Sequence, residues 1–119
     1  MQNLYSQPQA NQTPTQILQS VFGYSHFRIG QREVIENTLA GKDSLVLMPT
    51  GGGKSLCYQV PALLLPGLTI VISPLIALMQ DQVEQLKLDG VNAAYLNSSV
   101  DEQDAAKTFT EIESGKIKI

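Results

Sequence analysis

Three adjacent glycines, Gly51, Gly52 and Gly53, are followed at once by Lys54 and Ser55 and preceded by the apolar run SLVLM at residues 44–48. No other stretch restricts the fold of this chain as much. The run is short and bounded by Lys42, Asp43 and Pro49, as expected of a strand buried on both faces. From Lys54 onward the pattern is helical, with a kink or interruption expected at Pro61, whose ring removes a backbone donor. A strand that passes through a glycine loop into a helix can gather main-chain amides around closely spaced negative charges, because no Cβ stands in the way. Gly51, Gly52 and Gly53 allow that approach, the first amides of the helix add partial positive charge, Lys54 supplies a full charge, and Ser55 offers a hydroxyl to a magnesium ion. MPTGGGKS, residues 48–55, therefore reads as a seat for a triphosphate, with Met48 where the general G-x-x-x-x-G-K-[ST] pattern has its first glycine. The alternative is a glycine-rich surface turn followed by an accidental Lys-Ser pair.

The flanking segments place this loop in an alternating order of strands and helices. Residues 1–12 are rich in Gln and Asn with two isolated apolar residues, the composition of a mobile tail. Thr13, Pro14 and Gln16 form a helix start with a capping box, and Gly23 is its stop. A second helix is expected over residues 31–40, with Val34, Ile35 and Leu39 on one side and Gly41 beyond its end. Residues 68–72 form a second apolar strand. Ser73 and Pro74 open a longer helix striped as core by Leu75, Leu78, Met79, Val83 and Leu86 until Gly90. Residues 92–96 are a weaker third strand. Ser99 and Glu102 make a capping box for a helix striped by Ala105, Phe109 and Ile112 and closed by Gly115, and residues 116–119 open a fourth strand. Such alternation predicts an α/β fold, a parallel sheet with helices on both faces, truncated where the fourth strand begins.

At 119 residues the chain holds one domain at most, or part of a larger one. No apolar run approaches the roughly 18 residues of a membrane span, so a membrane partner is not expected. The net charge of -3 argues against nucleic-acid affinity driven by bulk charge, although residues 1–80 carry four basic and three acidic groups and residues 81–119 four and eight. The lone Cys57 cannot form an intramolecular disulfide and reads as a small buried residue, and with no secretory leader pattern the default location is cytoplasmic. His26, without a second imidazole or a cysteine nearby in sequence, reads as a loop residue and not a metal ligand.

Three segments in order resemble the RecQ family of DNA helicases, members of helicase superfamily 2. They are LQSVFGYSHFRIGQREVI at 18–35, MPTGGGKSLCYQVPALLL at 48–65, where the family also has methionine first, and VISPLIALMQDQV at 71–83, similar to the family's motif Ia. The resemblance covers about residues 17–119 and implies that residues 13–119 are an incomplete RecA-like P-loop NTPase domain that binds ATP and Mg2+. It implies that Gln31 hydrogen-bonds the adenine edge, that Tyr24 stacks on or beside the base, and that Arg28 shapes the pocket. Thr50, Gly51, Gly52, Gly53, Lys54 and Ser55 would bind phosphates and magnesium, with Lys54 and Ser55 essential to turnover. An amide side chain suits adenine because it presents a donor and an acceptor together.

From motif Ia the resemblance implies that Ser73 and Pro74, with the amides of the helix they open, contact a DNA phosphate; a helix cap alone is the alternative. Asn97, Ser98 and Ser99 are open to the same two readings, with capping preferred. The parent enzyme implied is a 3'-5' helicase acting on single-stranded and forked DNA in recombination and repair. DEAH does not occur in the sequence, so the chain alone is expected to bind nucleotide and turn it over slowly or not at all. A P-loop phosphotransferase and a nucleotide-binding module without helicase activity are the alternatives.

Overall fold

The computed structural model of the chain describes residues 11–49, 51 and 53–119. The tail expected over residues 1–12 falls mostly outside them, as do Thr50 and Gly52 of the glycine loop. Two compact units divide the chain, one made by residues 8–66 and the other carrying residues 67–119. No helix among the described residues is long and apolar enough to cross a membrane.

In the first unit, α1 (Pro14–Ser20) starts where the sequence predicts: Gln16 N–H donates to the Thr13 hydroxyl at 3.2 Å and Thr13 N–H donates to the Gln16 side-chain oxygen at 2.8 Å. Helix α2 (Gln31–Leu39) follows Gly30, and α3 (Leu56–Leu64) packs against both α1 and α2. Ile17, Leu18, Ile35, Val60 and Leu63 are wholly buried, each stabilising the unit by about 1.5–3 kcal/mol relative to exposure. Pro61 sits inside α3 without ending it: the helix runs on to Leu64, and Leu65 N–H closes on the Pro61 carbonyl at 2.9 Å. The helix begins at Leu56, two residues later than expected, because Lys54 and Ser55 form the turn that leads into it.

The run 44–48 departs from expectation. It is extended, yet no strand forms among the described residues, and Leu45 and Leu47 are 90% and 88% exposed while Val46 and Met48 are half-buried. Burial with a period of two means that only one face of the segment is covered. The opposite face has nothing packed on it within this unit.

The second unit holds α4 (Ile76–Leu88) and α5 (Glu102–Glu113). Val83 and Leu86 are buried, as are Val91, Ala93 and Ile117. Extended segments meet through single main-chain bonds: Lys118 N–H donates to the Asn92 carbonyl at 2.8 Å, Ala94 N–H to that of Ile119 at 3.2 Å, and Thr69 N–H to that of Lys118 at 3.0 Å. The bonds from residues 92 to 118 and 94 to 119 advance together, which is the parallel sense.

Among the described residues the strands expected at 68–72, 92–96 and 116–119 do not form, α4 starts at Ile76 and not at Ser73, and further expectations fail in this unit. Leu75 and Leu78, assigned to the core, are 58% and 45% exposed, so only the C-terminal half of the α4 stripe is covered. Helix α5 has no buried residue and Phe109 is more than half exposed; an open cavity of about 610 Å³ is lined by Asp104, Lys107, Thr108 and Glu111 of α5 and by residues 92–94 and 116–117. The cap of α5 is Asp101, whose carboxylate accepts from Asp104 N–H at 2.8 Å, and not Ser99. Asp caps as well as Ser and also suits the positive end of the helix, while Ser99 is engaged by Asn97.

Candidate nucleotide site

Gln31 is the first residue of α2 and is 1% exposed. Its position depends on Gly30, which precedes the helix in the left-handed conformation at φ 87°, open to glycine at little cost. The Gln31 side-chain oxygen accepts from Arg28 N–H at 2.7 Å, and its amide donates to the Gly53 carbonyl at 2.9 Å. A second link runs the same way, since the Arg28 guanidinium donates to the Gly51 carbonyl. Two segments more than 20 positions apart in sequence are thus clasped: residues 28–31 hold the glycine loop by its carbonyls.

This clasp gives Gly53 a role that spacing alone does not reveal. At φ 81° it is in the left-handed region, and a Cβ there would run into the Gln31 amide. Gly51 has nearly the same φ, 80°, but open space where its Cβ would stand. One glycine is required by conformation and by a neighbour, the other by conformation only.

Of the remaining loop residues, Lys54 is exposed and Ser55 half-buried at the N-cap of α3, where its hydroxyl makes no capping bond and its carbonyl accepts from Gln59 N–H at 3.0 Å. Burial pushes the Tyr58 phenol above its ordinary range, against hydrogen bonds with Gln59 and Ser55. Among the described residues no cluster of three His, Cys, Asp or Glu side chains could hold a metal. The donor set fits a magnesium ion that takes one oxygen from Ser55 and others from phosphates and water, as this ion usually does. Tyr24 is tied by its main-chain N–H to the Leu18 carbonyl at 3.2 Å, and its side chain is 55% exposed. The structure therefore brings Arg28, Gln31, Gly51 and Gly53 together and leaves Tyr24 and Lys54 at the surface.

In the second unit Ser73 and Pro74 lie just ahead of α4 and not inside it. The Ser73 hydroxyl accepts from Leu75 N–H at 3.2 Å, and α4 starts at Ile76 without a side-chain cap. Beside its first turn, Gln80 donates to the Ser99 hydroxyl at 3.2 Å, and Asn97 accepts from Ser99 N–H at 2.9 Å.

A sequence profile described as DEAD/DEAH box helicase matches residues 28–119, a span that starts at Arg28 and takes in the clasp, the loop and the start of α4. The chain belongs to the DEAD/DEAH box helicase family. Membership implies a RecA-like P-loop fold, the coarse architecture that the alternation of elements predicts. The chain is 56% identical over 108 residues to the ATP-dependent DNA helicase RecQ of Pasteurella multocida (strain Pm70), covering 91% of this chain and 17% of that protein. It is 53% identical to the RecQ of Haemophilus influenzae, over 90% of this chain and 17% of that protein. Against the RecQ of Bacillus subtilis (strain 168) the identity is 49%, over 87% of this chain and 18% of the relative. The chain thus spans less than a fifth of these curated relatives.

Two residues read as a buried cysteine and a loop histidine are found so. Cys57 is buried, its sulfur 4.0 Å from the Gly53 carbonyl, and burial raises its thiol above the ordinary value. His26 is exposed, with Nδ1 2.8 Å from the Ser25 hydroxyl. What the sequence did not reveal is the clasp itself. The alternation of Gln31 with Ile35, four residues on and equally buried, is the one signal that Gln31 faces inward.

Proposed function

We propose that this chain supplies the ATP-binding part of a RecQ-type ATP-dependent DNA helicase, which binds single-stranded and forked DNA and couples ATP hydrolysis to 3'-5' unwinding in recombination and repair. The observation that supports it best is the bond from Gln31 to the Gly53 carbonyl. A glutamine amide has two donor hydrogens and an oxygen with two lone pairs. One of each is used, by Gly53 and Arg28, which leaves one donor and one acceptor for the edge of adenine. A base that displaces what covers Gln31 engages the same side chain that holds the phosphate loop. Base recognition and loop position are then a single event.

In this reading residues 13–119 form an incomplete RecA-like domain, a parallel sheet with helices on both faces, and the parent protein is cytoplasmic. Tyr24 lies beside the base and Arg28 shapes its pocket. Thr50, Gly51, Gly52 and Gly53 surround the phosphates with main-chain amides, Lys54 neutralises their charge, and Ser55 contributes a ligand to Mg2+. A magnesium ion held there would supply charge that polarises the phosphate and offsets the charge developing on it. Ser73, Pro74 and the first amides of α4 take a DNA phosphate.

Titration of the chain with a fluorescent ATP analogue and magnesium tests the reading. Binding that Lys54→Ala weakens at least about tenfold, the loss of one charge-assisted contact, is expected. ATP should compete with the analogue better than GTP does. A chain that ignores nucleotide, or binds it equally well without the Lys54 ammonium, contradicts the proposal.

A further inference from the structure

Lys118 is 1% exposed, and no other wholly buried side chain of the described residues is larger. Its Nζ donates to the Gly67 carbonyl at 2.5 Å, its own carbonyl accepts from Thr69 N–H at 3.0 Å, and its N–H donates to the Asn92 carbonyl at 2.8 Å. One residue therefore grips the start of the segment 67–72 twice, by side chain and by main chain, and ties it to the segment at Asn92. Side-chain burial does not perform that task. Ile70 and Ile72 are 76% and 93% exposed, and Leu68 and Val71 are also exposed. The segment leads directly into Ser73, Pro74 and the open amides of α4.

A buried ammonium is an expensive way to fill space. An aliphatic side chain of similar length packs without the desolvation cost, so a lysine here stabilises less than its volume would suggest. What it adds is direction, because a charged donor fixes the Gly67 carbonyl at one distance and angle. Burial also lowers the proton affinity of the amine.

We infer that Lys118 is a positioning residue for the DNA-phosphate contact at Ser73, Pro74 and the first turn of α4, acting by pinning Gly67 and Thr69. The inference rests on the DNA-binding reading above. Loss of Lys118 alters the path of residues 67–75 and leaves the clasp between Gln31 and Gly53 in place.

The test compares the 119-residue chain with its Lys118→Met and Lys118→Arg variants, using a labelled oligothymidylate, a fluorescent ATP analogue and amide hydrogen exchange. Lys118→Met should bind the oligonucleotide about tenfold more weakly, the loss of one charge-assisted hydrogen bond, with ATP-analogue affinity unchanged within about twofold. Thr69 N–H should exchange faster in that variant. Lys118→Arg keeps a charged donor and should recover both DNA affinity and slow exchange. Unaltered DNA affinity in Lys118→Met overturns the inference, and so does a parallel fall in nucleotide affinity, which marks general loss of folding. If the unaltered chain binds no oligonucleotide, the DNA reading itself fails. In that case Thr69 exchange still decides the role of Lys118: an unchanged rate in Lys118→Met shows that it pins nothing.

Discussion

The side-chain amide of Gln31 lies 2.9 Å from the carbonyl oxygen of Gly53, and through this bond the first turn of α2 holds the loop that precedes α3. The bond joins the residue expected to read the base to a residue expected to seat the phosphates. Glycine is needed at position 53 for the amide to come so close.

Gly53→Ala and Gly51→Ala should therefore differ although their backbones are alike. Both force alanine into the left-handed region, at a cost of about 1–2 kcal/mol. Only at position 53 does the new methyl also displace the Gln31 amide, which leaves buried polar groups unpaired for roughly 1–3 kcal/mol more. Urea denaturation should show the larger loss for Gly53→Ala. Equal losses would mean that the clasp contributes nothing.

Gln31→Ala and Lys54→Ala should separate stability from nucleotide binding. Removing the buried Gln31 side chain strands Arg28 N–H and the Gly53 carbonyl, so stability falls by about 1–3 kcal/mol and the preference for ATP over GTP disappears. Lys54 is exposed, and its removal should change stability by no more than about 0.5 kcal/mol while nucleotide affinity collapses. Denaturation midpoints and nucleotide titrations on the same samples check both halves.

Asp101→Ala should destabilise α5 by about 1 kcal/mol, because Asp104 N–H loses its acceptor, whereas Ser99→Ala should leave the helix intact. Circular dichroism melts of the two variants distinguish the cap found from the cap expected. A larger effect at Ser99 would restore the capping box read from the sequence.

Alkaline conditions should weaken the fold through Cys57 and Tyr58. Burial raises both groups above their ordinary values of 9.0 and 10.0, so the unfolded chain gives up these protons first. The stability they contribute is complete below those values and is lost as pH rises through the higher folded-state ones. Lys118 opposes the trend, since its folded-state value is lowered from 10.5 and the unfolded chain there holds the extra proton. Denaturation midpoints should decline above about pH 9, less so in Cys57→Ala and more steeply in Lys118→Met. A decline that both variants leave untouched would assign the loss to other groups.

Much of the local structure was legible because each signal acts over three or four residues. The Thr13 capping box, the helix expected over residues 31–40 and found over 31–39, and the stop of α5 ahead of Gly115 all follow from neighbours in sequence. The stripes at Leu75, Leu78 and Phe109 had the spacing of core and proved exposed, since spacing states which side of a helix is apolar but not whether anything covers it. The run 44–48 failed for the same reason, with one covered face instead of two.

Sequence by itself determined the capped start of α1 at Thr13, the number and order of the helices, and the kinship with RecQ helicases carried by the motifs. Tertiary structure alone decided that Gln31 turns inward to the Gly53 carbonyl and that Lys118 is buried against Gly67. Burial and long-range hydrogen bonds are relations between segments distant along the chain, and a pattern that repeats every two to four residues carries no record of which distant partner arrives.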